Sequence, residues 1–219
     1  MRFDFNLYLV LTIIAAYLIG SIPTSVWVGR LFFGVDVRRH GSGNAGATNT
    51  LRTLGAGAAI PVLLIDVFKG FAAVQLSFLF RDNFTTFYQF VNFQLFLSVA
   101  VLLGHVFPIF AGFKGGKGIA TLVGIAIAIF PWAILVSMGV FVIVVLLWQY
   151  ISLGSIITAI LFPIIVIFIF RTQTQSLIVF SILIALFVPF THKANIRRLF
   201  KGEETKFSFK KKKKEHQDQ

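Results

Sequence analysis

Long apolar segments, separated by short polar or glycine-rich stretches, most constrain the fold of this chain. A helix of about 20 apolar residues crosses the hydrocarbon core of a bilayer, where every backbone polar group must be satisfied internally. The pattern predicts an all-α fold, a polytopic membrane helical bundle with about seven transmembrane helices. The predicted spans are about 6–29, 55–80, 89–111, 118–130, 132–149, 154–170 and 175–191. The fourth is so short that we expect a short or tilted helix, or part of a bent one.

The amino-acid composition excludes the main soluble alternatives. Hydrophobic residues make up 57% of the 219 residues and charged residues only 13%, whereas soluble domains usually contain about 25% charged residues. So little polar surface cannot cover a globule in water, which excludes a soluble enzyme and a disordered binding protein. We expect a single integral membrane domain over residues 1–206 and a basic, disordered cytoplasmic tail over 207–219.

The distribution of lysine and arginine predicts the orientation, because these residues collect in cytoplasmic loops. With the N-terminus outside, the outer side holds only Arg2, Arg81 and Arg171, and Lys69 lies within the second span. The other 16 of the 20 basic residues then lie on the inner side. We therefore expect the N-terminus outside and the C-terminus in the cytoplasm. The net charge of +12 reflects this topology, and no nucleic-acid partner is predicted.

The polar and glycine-rich segments all fall on the cytoplasmic side of this topology. They are residues 34–53, 112–118, 150–155 and 192–206. This placement predicts a functional site at one face of the membrane. Because the chain has no cysteine and only four scattered histidines, we predict no disulfide, no metal site and no cofactor.

Residues 41–49 form a glycine-rich loop with hydroxyl and amide side chains. Glycines let backbone N–H groups converge on one anion, and the polar side chains add donors. Arg38, Arg39 and Arg52 flank the loop and supply positive charge, which favours anion binding over the alternative, a small-residue turn or helix-packing seam. The candidate ligands are Gly41, Ser42, Gly43, Asn44, Gly46, Thr48 and Asn49.

A second glycine-rich loop precedes the fourth span. Lys114 and Lys117 flank Gly115 and Gly116, a combination that suits a phosphate-bearing substrate. A helix that begins at Gly118 would add partial positive charge there. The alternative is an ordinary cytoplasmic basic loop, although such a loop needs no glycines.

Polar residues at the predicted inner ends of the later spans are further candidates. His192 and Asn195 would share one helix face if the last helix continues, although His192 taken alone is more typical of an interfacial histidine. Ser152 either lines a site or caps the sixth helix. Glu203 and Glu204 follow the last span. They are either candidate site residues or a solvated pair of charges.

Two ionisable groups lie deeper in the predicted membrane. His105, near the inner end of the third span, either binds substrate or braces neighbouring helices by a hydrogen bond. Asp66 and Lys69, three residues apart in the second span, most simply neutralise one another.

These segments resemble the bacterial acyl-phosphate:glycerol-3-phosphate acyltransferases over nearly the whole chain. The similar segments, in order, are GSIP at 20–23, GSGNAGATN at 41–49, GHVFPIFAGFKGGKGIAT at 104–121, SLGSI at 152–156 and HKANIRRL at 192–199, followed by Glu204-Thr205-Lys206. The departures are mild. Lys193 stands where the family often has arginine, and Glu203 stands where it often has threonine. Glu204 is therefore taken as the family-like glutamate.

The resemblance implies a seven-helix enzyme of the bacterial inner membrane with its site at the cytoplasmic face. The implied substrates are acyl phosphate and glycerol 3-phosphate, with membrane lipid as the surroundings and no cofactor. The oligomeric state stays open, and a monomer fits. The residues that match the family's functional positions, predicted here as catalytic, are Ser42, Arg52, Lys117, His192 and Asn195.

One mechanism accommodates these residues. The 41–49 loop would hold the acyl-phosphate head group, and Lys117 and Arg52 would neutralise phosphate and the developing oxyanion. His192 and Asn195 would orient glycerol 3-phosphate, whose hydroxyl would attack directly because the sequence has no obvious serine–base pair. The alternative is a transporter or flippase for an anionic lipid. A transporter would need polar groups near the membrane midplane.

Overall fold

The structure is a computed structural model that describes residues 2–207, with side chains from residue 6 onward. This range is almost entirely helical and contains no strand. The α-helices are α1 Arg2–Gly20, α2 Thr24–Phe33, α3 Ala47–Leu54, α4 Ala56–Gln75, α5 Phe87–Val106, α6 Ile119–Ile129, α7 Pro131–Trp148, α8 Ile151–Ile164, α9 Gln175–Thr191 and α10 Lys193–Phe200. Short 3-10 segments follow α2, α4 and α5 (Val37–Arg39, Leu76–Asn83 and Ile109–Ala111), and a π-helical turn, Ile165–Ile169, extends α8. The predicted basic tail, apart from Phe207, lies outside the described residues.

The prediction of an all-helical membrane bundle is confirmed. Four helical segments are long and apolar enough to cross a bilayer, and two bent pairs, α1 with α2 and α9 with α10, raise the number to six. The apolar α6 has only 11 residues, a length of about 16 Å at about 1.5 Å per residue. That length is about half of the hydrocarbon core. A total of seven spans, and the orientation, stay predictions.

Small residues let the central helices approach closely. α4 packs against α6 and α1 against α5. A Cβ added at Gly124 would lie 1.9 Å from the Val67 carbonyl oxygen, and one added at Gly70 would lie 2.2 Å from the Thr121 carbonyl oxygen. Close packing through small residues is how helices associate in a membrane, where apolar surface alone gives little driving force.

The first predicted span, about 6–29, is wrong as a single helix. α1 ends at Gly20, α2 begins at Thr24, and the two are bent by 42°. The physical reason is Pro23, because proline disfavours helical conformation at the preceding residue and cannot donate a backbone hydrogen bond. At this break the Ile22 carbonyl accepts hydrogen bonds from the backbone N–H of Thr24 at 3.0 Å and from Lys69 Nζ at 3.1 Å.

A buried group of polar side chains surrounds this break. Lys69 Nζ lies 2.8 Å from Asp66 Oδ1, which confirms the predicted mutual neutralisation. Thr24 Oγ1 donates to Asp66 Oδ1 at 2.9 Å. His105 Nδ1 lies 3.8 Å from the same oxygen and has no hydrogen-bond partner among the described residues. Asp66, Lys69, Thr24 and His105 are named the buried polar cluster, and they join α2, α4 and α5.

The buried ion pair generates a prediction about stability. Asp66→Asn or Lys69→Met leaves one charge unpaired in an apolar interior, which costs about 3–5 kcal/mol. The double variant removes both charges and should be more stable than either single variant. The measurement is thermal unfolding of the solubilised protein, with the exposed Asp82→Asn as a control. A double variant as unstable as the sum of the two single variants would contradict this account.

Candidate functional site

Three segments that are distant in sequence meet at one end of the bundle. They are residues 40–54, which contain α3, the loop 112–118, and residues 192–207, which contain α10. Arg52 lies against the last segment and Lys117 contacts α10. On the predicted orientation this end faces the cytoplasm.

A buried carboxylate, Glu204, is the centre of this site. Its Oε1 accepts hydrogen bonds from Ser152 Oγ at 3.0 Å and Asn195 Nδ2 at 2.9 Å. Its Oε2 accepts from Arg198 Nε at 2.8 Å. Arg52 Nη2 lies 3.6 Å from Oε1. A side chain that is only 5% exposed therefore connects α3, α8 and α10.

The environment of Glu204 keeps it ionised. Burial alone would raise the pKa of this carboxyl, but hydrogen bonds from Arg198, Asn195 and Ser152 outweigh burial and lower the pKa below its usual range. At neutral pH Glu204 therefore accepts hydrogen bonds and does not act as an acid. The neighbouring Glu203 is exposed, so the structure singles out the second glutamate of the pair.

Lys117 contacts this network through Asn195. The Nζ of Lys117 donates to Asn195 Oδ1, while Asn195 Nδ2 donates to Glu204. Burial lowers the pKa of the Lys117 ammonium to about 8, an effect that Glu204 opposes and that Arg198 and Arg52 reinforce. Lys117 is therefore charged at neutral pH and neutral at moderately alkaline pH.

The glycines before Lys117 serve the fold. The backbone N–H groups of Gly115 and Gly116 donate to the carbonyls of Val106 and His105, at 3.1 and 3.2 Å. A Cβ at Gly116 would lie 2.2 Å from His105 Nε2. The loop can pack on the end of α5 only without side chains at these positions, and this packing places Lys117. These two N–H groups are already engaged, so the predicted anion-binding role is not built into them.

The 41–49 loop is organised by one buried amide side chain. Asn49 Oδ1 accepts from the backbone N–H of Ser42 at 2.8 Å and from its Oγ at 3.1 Å. Asn49 Nδ2 donates to the carbonyls of Val37 at 2.8 Å and His40 at 3.1 Å. Every polar atom of this amide thus contacts the loop itself, so Asn49 shapes the loop.

The exposed edge of this loop is formed by its first three residues. Gly41, Ser42 and Gly43 are exposed, and Gly43 has a φ of 71°, which side chains other than glycine rarely adopt. Asn44, Gly46 and Thr48 are half-buried around the start of α3, whose N-terminal cap is Gly46. The backbone N–H groups of Ser42 and Gly43 are engaged with Asn49 Oδ1 and with the His40 carbonyl. The Ser42 hydroxyl, which donates to Asn49 in this structure, is therefore the exposed polar side-chain group of this edge.

His192 is buried in the break between α9 and α10. Its Nδ1 lies 2.8 Å from the Val188 carbonyl oxygen, so Nδ1 carries the proton and Nε2 is left as an acceptor when the ring is neutral. The expectation of one continuous helix face with Asn195 is wrong, because the two helices are bent by 61° at this break. Asn195 reaches the site from α10 instead.

Two predicted ligands lie apart from Glu204. Lys114 is exposed on its loop. His105 is 6% exposed and belongs to the buried polar cluster beneath Gly116. The structure therefore places His105 among neighbouring helices and away from Glu204, but it does not show the bracing hydrogen bond that the sequence left as the alternative, because Nδ1 has no partner among the described residues.

Two arginines matter here that the sequence analysis did not single out as site residues. Arg198 donates a hydrogen bond to Glu204. Its spacing of three residues from Asn195 could have indicated this role, because residues three apart on a helix are neighbours on its surface. Arg38 Nη1 donates to the Ala111 carbonyl at 2.9 Å while its Nη2 pairs with Asp36 Oδ2, also at 2.9 Å. Arg38 thereby clamps the two glycine-rich loops together, and its hydrogen bond holds the pKa of Asp36 well below the usual range.

Comparisons with known proteins all point to one family. A family model described as glycerol-3-phosphate acyltransferase matches residues 10–202. The glycerol-3-phosphate acyltransferase of Chlorobaculum tepidum is 40% identical, with 90% of this chain and 95% of the relative covered. That of Enterococcus faecalis is 44% identical, with 92% and 93% covered.

Solved structures agree. Crystal structures of PlsY (YgiH), an integral membrane glycerol 3-phosphate acyltransferase, are similar to this fold in both the glycerol 3-phosphate form and the lysophosphatidic acid form. The TM-scores are 0.81 and 0.79, at 34% and 33% identity, and 92% of this chain and 96% of the solved chain are covered in each case.

The 41–49 loop generates a prediction that separates shape from chemistry. Asn49→Ala leaves several polar groups around the loop without their hydrogen-bond partner and should lower the free energy of unfolding by about 2 kcal/mol or more. Ser42→Ala alters an exposed side chain and should change stability by only about 0.5 kcal/mol. Ser42→Ala should nonetheless lose most activity per folded molecule if its hydroxyl contacts an anionic ligand.

Thermal unfolding and specific activity, measured on the same samples, check both expectations. A fully active Ser42→Ala protein would mean that the loop is only a packing element.

Proposed function

Because the chain belongs to the glycerol-3-phosphate acyltransferase family, we propose that it transfers a fatty acyl group from acyl phosphate to the 1-hydroxyl of sn-glycerol 3-phosphate. The products are lysophosphatidate and phosphate, and the reaction is the first acylation step of phospholipid biosynthesis. The enzyme lies in the bacterial inner membrane with its site at the cytoplasmic face. The observation that carries the proposal is the convergence of Lys117, Arg52 and Asn195 on the buried Glu204.

The net positive charge around Glu204 suits phosphorylated substrates. Lys117, Arg52 and Arg198 carry three positive charges around the single carboxylate of Glu204. The excess positive charge favours an anion, and arginine adds a planar fork of donors that matches phosphate. Glu204 holds Arg52 and Arg198 in place, so it is a positioning residue.

The reaction needs one bond formed and one broken at the acyl carbon. The 1-hydroxyl oxygen of glycerol 3-phosphate attacks the carbonyl carbon, and the bond from that carbon to the phosphate oxygen breaks. The phosphate leaves with the electron pair, and it takes the proton of the attacking hydroxyl. Lys117 and Arg52 stabilise the negative charge that develops on the carbonyl oxygen and the leaving phosphate.

The hydrogen bonds of the two candidate site serines, Ser42 and Ser152, argue against an acyl-enzyme intermediate. A nucleophilic serine needs a neighbouring base that accepts its proton. Ser42 Oγ donates to the amide oxygen of Asn49, which is not a base. Ser152 Oγ donates to Glu204 Oε1, but the lowered pKa of Glu204 makes this carboxylate a weak base. Direct attack by the substrate hydroxyl therefore fits this site best.

The buried polar cluster does not support the transporter alternative. Asp66, Lys69 and Thr24 satisfy one another, and the cavity beside them has a volume of about 10 Å³. Such a cavity holds about one water molecule and is too small for a phosphorylated lipid.

The experiment that tests the proposal uses the detergent-solubilised protein without a sealed membrane. Acyl phosphate and glycerol 3-phosphate should give lysophosphatidate and phosphate in equal amounts, and acyl-CoA should not replace acyl phosphate. Turnover with acyl-CoA at an equal rate would overturn the proposed donor, and no turnover with either donor would overturn the proposed reaction.

Lys117→Ala should lose most activity. A contact with a developing oxyanion or phosphate contributes about 10²–10³ in rate, and the assay above measures the loss. Replacement of the Lys210 to Lys214 run by glutamine is the control, since we expect those charges to act only at the membrane surface. A larger loss in the control than in Lys117→Ala would contradict the assignment.

The pH dependence should report the Lys117 ammonium. Its pKa is lowered to about 8, so the charged form is lost as pH rises through about 8. The kcat/KM for acyl phosphate should then fall, approaching tenfold per pH unit above that value.

Lys117→Arg keeps a charge at alkaline pH, so its activity relative to its own value at pH 7 should stay level where the wild type declines. Spontaneous hydrolysis of acyl phosphate is subtracted at each pH. An identical alkaline decline in both proteins would assign the titration to another group.

A further inference from the structure

The exposed face of α10 carries a regular pattern that the proposed reaction does not use. Lys193, Arg197, Phe200 and Lys201 are spaced by four, three and one residues, which places them on one side of a helix. All four are exposed, and Phe200 is 90% exposed. These four residues are named the basic face.

The cations of the basic face lack acidic partners. Within residues 6–207, no carboxylate lies within salt-bridge distance of Lys193, Arg197 or Lys201. Arg198, which points to the other side of the helix, is bound to Glu204 at 2.8 Å. Lys193 Nζ lies 5.5 Å from the centre of the exposed Phe190 ring, a contact that leaves the charge accessible. The basic face is therefore positively charged and free to bind an anion.

The position of α10 selects the partner. α10 follows the apolar α9 directly and is bent from it by 61°. If α9 crosses the membrane roughly upright, this bend brings the axis of α10 closer to the membrane plane. On the predicted orientation it lies at the cytoplasmic surface. Lysine and arginine side chains near the cytoplasmic surface are attracted to anionic lipid, by about 1 kcal/mol each. An exposed phenylalanine ring is an apolar group that can enter the boundary between head groups and acyl chains.

We propose that the basic face binds anionic phospholipid head groups of the cytoplasmic leaflet, with Phe200 inserted beside them, and that this binding activates the enzyme. The opposite side of α10 presents Asn195 and Arg198 to Lys117 and Glu204. Lipid that anchors one side of the helix thereby steadies the site on the other. The binding step stands by itself, and the activation step rests on the proposed function.

Binding is tested by a probe that does not require activity. The chain has no cysteine, so Phe200→Cys can be labelled with an environment-sensitive fluorophore, with the exposed Glu203→Cys as the matched control. The proteins are placed in nanodiscs of phosphatidylcholine alone or with added phosphatidylglycerol. Emission from position 200 should shift to the blue with phosphatidylglycerol and be quenched by spin-labelled lipid, and the control should shift much less.

Salt should reverse the shift at position 200, because surface charge is screened. Equal spectra in both lipids, or a shift that salt does not affect, would overturn the recognition of anionic lipid. A shift that appears only on adding an acidic soluble protein would assign the face to a protein partner and also overturn the proposal.

Activation is tested in the same nanodiscs with unlabelled protein. Phosphatidylglycerol should raise kcat/KM of the wild type at least about threefold. The variant with Lys193, Arg197 and Lys201 all changed to glutamine should keep the phosphatidylcholine activity and lose this gain. The control changes Lys210, Lys212 and Lys214 to glutamine, which removes the same charge from the tail, and it should keep most of the gain.

Two results would overturn activation through α10. One is loss of the gain in the tail variant instead, and the other is a wild type whose kcat/KM does not rise with phosphatidylglycerol. Absence of acyl transfer in every preparation would be a failure of the proposed function, and the fluorescence shift would still decide the binding step.

Discussion

The buried carboxylate of Glu204 is the interaction on which the site depends. An ionised group removed from water needs charge-assisted hydrogen bonds to offset its desolvation, and Glu204 obtains them from Arg198, Asn195 and Ser152. Because these donors come from α8 and α10, and Arg52 comes from α3, the carboxylate fixes how three helices meet. Lys117, the cation that we propose acts on substrate, is then placed through Asn195.

The two glycine-rich loops use their glycines differently. In the 112–118 loop the glycine N–H groups are engaged with the end of α5, so the loop contributes its lysine. In the 41–49 loop an asparagine is folded inward and the serine and glycines stay at the surface. Arg38 links the two loops. The 112–118 loop therefore contributes the charge of Lys117 to the site, and the 41–49 loop contributes the exposed Ser42 hydroxyl.

The buried polar cluster has a structural part in this arrangement. Polar groups in an apolar interior are costly unless they satisfy one another. Asp66, Lys69 and Thr24 do so, and Lys69 also binds the Ile22 carbonyl at the break between α1 and α2. His105, the fourth member of the cluster, lies between Asp66 and Gly116. The cluster thus supports the loop that carries Lys117, because Gly116 of that loop packs directly on His105.

The sequence by itself determined the membrane class, most helix positions and the candidate residues, because apolar length and glycine–lysine patterns are local properties. It also identified the Asp66–Lys69 pair from a spacing of three. Only the tertiary structure decided that Asn49 shapes its loop, that His105 is buried beside Asp66 and away from Glu204, and that Glu204 gathers Arg52, Asn195 and Arg198. These roles arise from contacts between residues up to about 150 positions apart, such as Arg52 and Glu204, which no local pattern encodes. The bend at Pro23 follows from the proline itself, but only the structure shows that Lys69 of α4 binds the Ile22 carbonyl at this break. At the second bend the His192 side chain bonds the Val188 carbonyl of the preceding helix, so a local side chain satisfies a backbone group there.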